Sequence, residues 1–182
     1  MVVIKRNFKK IKINMGWKHI SYTYGGEKLV FNIEPMIGEA DIVYIPNDEI
    51  WNSSKIGWVN GNKDKILSDI KSFDWNRDLV FDDCETDFRI IPAKEDEILK
   101  GTIESTQAAK EFENLALFDP NKKVDKKQTH ELWCTLEKRF AEGVEGKVTI
   151  CASEIKENSV FNKITIPTLS ENDKVTLNVV GS

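Results

Sequence analysis

Through the first third of the chain, apolar and polar positions alternate. Ile11 and Ile13 are separated by lysine, Ile20, Tyr22 and Tyr24 by Ser21 and Thr23, and Leu29, Phe31 and Ile33 repeat the same two-residue period. Side chains of a strand alternate between two faces, so this pattern predicts strands with one buried face. Gly25-Gly26 lies between two of these runs. Glycine readily takes the positive φ of a tight hairpin turn, so a hairpin is expected there. The run Ile42-Val43-Tyr44-Ile45, stopped by Pro46, reads as a more deeply buried strand.

The period then lengthens. Residues 63–72 place Ile66, Leu67 and Ile70 on one face, with Asn62 as N-cap and Asp64 in the first turn. Residues 103–117 bring Ile103, Ala108, Ala109, Phe112 and Leu115 together at near-helical spacing, and Pro120 stops the pattern. Residues 130–141 do the same for Leu132, Trp133, Leu136 and Phe140, with Thr129 as cap and Gly143 just past the end. Leu79-Val80-Phe81 and Phe88/Ile90 bracket an acidic stretch and predict a strand pair joined by a carboxylate-rich turn. Val148/Ile150/Ala152, Ile164/Ile166 and Val175/Leu177/Val179 predict closing strands, with a turn at Asn172-Asp173. The expected architecture is a single α+β domain over residues 1–182, a mainly antiparallel sheet carrying about three helices.

Composition narrows the class. An apolar fraction of 40% and five tryptophans supply a core, which excludes a disordered chain. Cys84, Cys134 and Cys151 form no C-x-x-C pair and no even set, which speaks against a disulfide scaffold or zinc ribbon and for a reducing compartment. With no apolar run longer than four residues, neither a membrane span nor a secretory leader is expected, and the protein is placed in the cytosol.

The net charge of −4 is unevenly spread. Residues 1–30 hold seven Lys/Arg (Lys5, Arg6, Lys9, Lys10, Lys12, Lys18 and Lys28) against Glu27 alone. Residues 82–97 hold the opposite, Asp82, Asp83, Glu85, Asp87, Glu95, Asp96 and Glu97 against Arg89 and Lys94. An acidic body argues against nucleic acid as partner, because basic faces supply most of that affinity. It suits a basic protein partner, since opposite potentials steer association.

Catalytic signatures for dinucleotide, phosphate, acyl-transfer or zinc-protease chemistry are absent from the chain. His19 and His130 have no ligand-like spacing. His130 is expected to cap or face solvent at a helix start, and His19 to sit on a strand surface beside Ser21 and Thr23. Cys134 beside Trp133 reads as a buried, inert thiol, and Cys151 on a polar strand face lacks a neighbouring base. No catalytic, cofactor-binding or metal residue is assigned. On a strand, Asp83, Glu85 and Asp87 would share one face, which leaves a metal-dependent hydrolase using the 82–87 carboxylates open. A solvated turn or a docking patch explains the same residues. Trp51 and Trp58 frame a polar loop and could stack on a ligand or anchor a partner, or cap the edge of the core. Trp75 reads as core.

The segment Ile70-Lys71-Ser72-Phe73-Asp74-Trp75-Asn76-Arg77, leading into an apolar strand in a small, acidic, cysteine-poor α+β chain, resembles bacterial immunity proteins. These are the cytosolic antidotes of polymorphic toxins, including contact-dependent growth inhibition systems. The resemblance covers about the middle third of the chain and transfers no specific residue. It implies a non-enzymatic protein that binds one cognate toxin domain, often a nuclease with a basic cleft. The docking candidates are then Asp82, Asp83, Glu85, Asp87, Glu95, Asp96 and Glu97 with Trp51 and Trp58. The oligomeric state is left open, and no nucleic acid, membrane or cofactor is expected.

Overall fold

The computed structural model describes residues 2–6, 9–85, 89–92, 103, 106–151 and 155–180. Strands β1 (Val2–Arg6), β2 (Lys9–Met15), β3 (His19–Tyr24) and β4 (Glu27–Glu34) form an antiparallel meander. The expected hairpin is there: Tyr24 pairs with Glu27 across Gly25 and Gly26, whose φ values are 62° and 93°. Both loop residues take the left-handed region that glycine adopts without steric cost.

Strand β4 forks the sheet. On the edge away from β3, its first half (Glu27 to Val30) pairs with β7 (Arg89–Pro92), and Ile33 and Glu34 pair with β5 (Asp41–Pro46). The chain leaves β5 through α1 (Asp48–Ser53) and α2 (Lys63–Lys71) and returns as β6 (Leu79–Cys84), parallel to β5. Here the sequence expectation needs correction. The two strands around the acidic stretch do not pair with each other: β6 extends the sheet beyond β5, while β7 goes back to β4. A parallel pair needs a crossover and cannot be joined by a tight turn, and α1 and α2 supply that crossover between β5 and β6. Phe88 lies outside the described residues.

Helix α3 (Gln107–Asn114) is shorter than the predicted 103–117. Thr106 caps it by accepting from the Ala109 amide at 3.1 Å, and Ala116 at φ 46° ends it. Ile103 is buried but precedes the helix, Ala108 is exposed, and Leu115 is 52% exposed. Helix α4 (Lys126–Glu142) starts earlier than the predicted 130. Asp125, not Thr129, is its cap, accepting from Gln128 N at 2.9 Å, and Thr129 is buried within the helix. Its first turn is polar and gave no hydrophobic signal. Leu132 faces solvent at 46%, so Trp133, Glu137 and Ala141 form the fully buried stripe.

Residues 164 and 166 are not in a strand. Phe161–Thr165 is a π-helical turn that runs into α5 (Ile166–Glu171), where Pro167 sits in the first turn. A two-position β-branched alternation cannot be told from a buried helical turn by period alone, and proline at a helix start decides it. The last strands, β8 (Gly146–Cys151) and β9 (Val175–Val180), form a separate parallel pair. The α+β class holds, with five α-helices among the described residues. No helix there is long and apolar enough to cross a membrane.

One face of the sheet supplies Ile11, Ile13, Ile20, Tyr22, Leu29, Phe31, Val43 and Ile45 to the core, against Trp51, Ile66, Ile70, Ala109 and Trp133 from the helices. Inside it, Trp17 stacks on Trp133 with centroids 5.3 Å apart and the planes 6° from parallel. The Tyr22 hydroxyl donates to Asp69 Oδ2 at 2.9 Å, fixing α2 to β3. The Asn62 side chain does not cap α2 but donates to the Asn60 carbonyl at 3.1 Å.

Candidate docking surface

The parallel pair β5–β6 brings polar side chains together at its C-terminal end. Asn47, the residue after β5, donates its amide to the Cys84 carbonyl at 2.8 Å and caps α1 by accepting from Ile50 N at 3.1 Å. Asp48 therefore stands in the first turn of α1, next to Asp83 at the end of β6. The Lys63 ammonium, from the first residue of α2, donates to Asp48 Oδ1 at 2.7 Å and to Asp83 Oδ1 at 2.9 Å. Lys63 is only 17% exposed, whereas the Asp48 and Asp83 side chains are 80% and 65% exposed. Partial burial works against the ammonium, but its bonds to Asp48 and Asp83 outweigh that and raise the Lys63 pKa above the ordinary lysine value. A charged amine below thus holds two carboxylates at the surface.

Asp82 points to the other face of β6, as strand alternation requires. It lies 3.6 Å from Lys156 Nζ and is 49% exposed. On that face the Tyr44 hydroxyl donates to Glu34 Oε2, and the Lys156 amide to Glu34 Oε1 at 3.4 Å. Glu85 is exposed. Of the predicted carboxylates, the structure places Asp82, Asp83 and Glu85 at this end. Asp87, Glu95, Asp96 and Glu97 lie outside the described residues. Asp48 and Glu49 join the end from α1, and both were missed because they stand 34 and 33 residues before Asp82 in sequence. Asp48, Glu49, Asp82, Asp83 and Glu85 face two lysines, Lys63 and Lys156, so the end stays acidic.

The tryptophans do not form a common surface. Trp51 is 1% exposed, with its ring 6.2 Å from Phe31, so it belongs to the core and not to a contact loop. This corrects its candidacy as a docking residue. Trp58 is half-buried. Its Nε1 donates to Glu27 Oε2 at 2.6 Å, and its ring lies 6.1 Å from Tyr22 and 5.5 Å from Tyr24, over the end of the β3–β4 hairpin.

In the segment from Ile70 to Arg77, Ile70, Trp75 and Arg77 are buried, whereas Lys71, Ser72 and Asp74 are exposed. Trp75 Nε1 donates to the Ile70 carbonyl at 2.8 Å. The Asn76 amide donates to the carbonyls of Leu117, Asp119 and Lys122, tying down the loop before α4. Arg77 is buried: Nε donates to Asp41 Oδ2 at 2.7 Å, and Nη1 to the carbonyls of Gly16 and Trp17 at 3.1 and 2.8 Å. Nη2 sits 2.5 Å from the same Asp41 oxygen as an ion pair without hydrogen-bond alignment. The guanidinium carbon lies 5.0 Å from the Trp17 ring centre and 4.7 Å from that of Phe118. These residues organise the fold rather than a surface.

Among the described residues, the Cys–His contact is Cys134 Sγ to His130 Nδ1 at 3.4 Å. His130 is neither a cap nor solvated: it lies inside α4, edge-on to Trp17 at 5.4 Å. Burial first, then the charges of Glu137, Asp41 and Glu131, push the Cys134 thiol up to about 12. Cys134 is half-buried and not buried as the sequence suggested, but the raised pKa still keeps it protonated and a poor nucleophile at neutral pH. His19 is half-exposed at the start of β3, Cys84 is half-buried, and the side chain of Cys151 lies outside those described. No group of three His, Cys, Asp or Glu among the described residues could hold a metal ion. A cavity of about 30 Å³ lined by Asn14, Gly16, Trp75, Glu113 and Asp119 has room for water, well short of the several hundred Å³ typical of a small-molecule site.

The fold defines an α+β protein whose sheet ends in an exposed acidic corner. No protein family model, curated protein or solved structure matches the chain.

Proposed function

We propose that this protein is a cytosolic binding protein of the immunity type, which neutralises a cognate toxin domain by docking on a basic surface of it. The observation that carries the proposal is the pair Asp48 and Asp83, held outward by the largely covered Lys63, with exposed Glu85 at the same end and Asp82 on the opposite face of the strand. Carboxylates already ordered before contact lose little side-chain entropy on binding and steer a cationic partner toward them. Core residues of both sheet and helices anchor this corner, so it presents a fixed charge pattern. Charge reversal at Asp48, Asp82, Asp83 and Glu85 tests the assignment against the protein recovered by pull-down from the producing strain. Slower association and a weaker salt dependence are expected, with the dissociation rate changed less. Unchanged kinetics at two ionic strengths would overturn it, as would metal-dependent hydrolysis by the purified protein that is lost on Asp83→Asn.

A further inference from the structure

We infer that the partner engages this corner by adding a strand, with two adjacent basic residues, to the edge of β6 that no described strand occupies. The inference rests on the docking assignment above and concerns how that surface is read. Strand β6 is last in the sheet order, and among the described residues only β5 pairs with it. Its orientation follows from two hydrogen bonds: the Asp78 carbonyl accepts from Asp41 N at 2.9 Å and the Cys84 carbonyl from Asn47 N at 2.8 Å. Peptide groups alternate along a strand, so those of Leu79, Phe81 and Asp83 point away from β5.

Among the described residues, this edge is protected by its charges and not by breaks in the strand. The six pairs from Asp41–Leu79 to Pro46–Cys84 are continuous, without a bulge, and no proline or glycine interrupts residues 79–84. Natural edges are blunted by such breaks or by charged side chains, which repel a like-charged strand but admit one of opposite charge. The β6 edge carries Asp82 and Asp83 instead, with Val80 52% exposed beside them. Asp82 and Asp83 lie on opposite faces, 49% and 65% exposed. An added strand also alternates its side chains, so two consecutive Arg or Lys residues would meet one carboxylate on each face, while main-chain bonds to Phe81 and Asp83 supply register. A second copy could offer its own basic edge β1. That contact is head-to-tail and runs on as a filament unless its rotation closes a ring, while a second copy's β6 would set Asp82 and Asp83 against the same carboxylates, so a different, cationic partner fits this edge better.

The probe is a short capped peptide with valine and threonine in its first half and adjacent arginine and lysine in its second. Amide exchange is read by NMR on the full chain with and without it. Protection of the Phe81 and Asp83 amides is expected, while the amides of Val80 and Asp82, which already face β5, change little. Asp83→Ala and Asp83→Pro remove the same carboxylate, but only proline also removes the outward N–H. Peptide affinity should therefore fall about tenfold further for Asp83→Pro than for Asp83→Ala, the worth of one hydrogen bond with its acceptor left unpaired. Should Asp83→Pro fail to fold, the exchange measurement on the unaltered protein decides alone. Absence of protection at millimolar peptide overturns the inference. Equal affinities of the two variants, with loss on charge reversal, overturn strand addition but leave the docking assignment standing. Indifference to charge reversal removes both. Concentration-dependent filaments without peptide, abolished by Asp83→Pro, would assign the edge to a second copy.

Discussion

Replacing Arg77 with methionine is the sharpest test of how this fold is held together. The side chain is 5% exposed and its partner Asp41 4%. Arg77→Met keeps the aliphatic stem and its contact with Trp17 and Phe118, but removes the donors to Asp41 and to the carbonyls of Gly16 and Trp17. Asp41 is then a buried carboxylate with, among the described residues, the Met36 amide at 2.6 Å to balance it. Breaking a buried pair by removing one partner costs about 3–5 kcal/mol. The two orphaned carbonyls put the expected loss toward the upper end of that range, against a total stability of about 5–15 kcal/mol for an ordinary domain. Urea unfolding followed by tryptophan fluorescence measures it, provided the slope with denaturant is unchanged. Asp41→Asn in the same background removes the stranded charge while keeping an acceptor for Met36. The double variant should therefore recover stability relative to Arg77→Met, with a coupling of about 1–3 kcal/mol. A loss below about 1 kcal/mol for Arg77→Met, or strict additivity of the two changes, would refute the pair as the keystone between the loop after β2 and the start of β6.

Two further outcomes follow from the packing of α4. The Cys134 thiol is raised from its usual value near 9 to about 12, so the unfolded chain releases that proton first. The stability this thiol contributes is fully present below pH 9 and is lost as pH rises toward 12. Cys134→Ala should flatten that part of the stability–pH curve, and native Cys134 should resist alkylation at pH 8 until the protein is unfolded. Trp133→Ala should cost about 3–5 kcal/mol by opening the aromatic stack, whereas Leu132→Ala, one position away on the solvent side, should change stability by less than about 0.5 kcal/mol; equal effects in thermal melts would contradict the observed rotation of the helix.

Local chemistry was legible in the residues themselves. The period-two runs and Gly25-Gly26 specified β2, β3, β4 and their hairpin, because alternation and positive φ are properties of neighbouring residues. Helices α2, α3 and α4 were found from their apolar faces, and both ends of α2 and the C-terminal end of α4 to within a residue, but the starts of α3 and α4 were not. Asp125 and Thr106 cap through single hydrogen bonds that leave no trace in a hydrophobic period. The acidic stretch was visible as composition, yet its working form depends on Asp48 and Lys63, which reach Asp83 only through the crossover from β5 to β6.

The amino-acid sequence by itself determined the α+β class and the strands β2, β3 and β4 with the hairpin at Gly25-Gly26. Tertiary structure alone decided that β6 runs parallel to β5 and leaves β7 to β4, since pairing partners are chosen by long-range packing and not by the strand's own pattern. It also decided that Trp51 is core, that Leu132 is surface, and that Arg77 lies beneath Trp17 and Phe118. An arginine reads as a surface residue until something buries it, and here that burial depends on Asp41, thirty-six positions earlier in the chain.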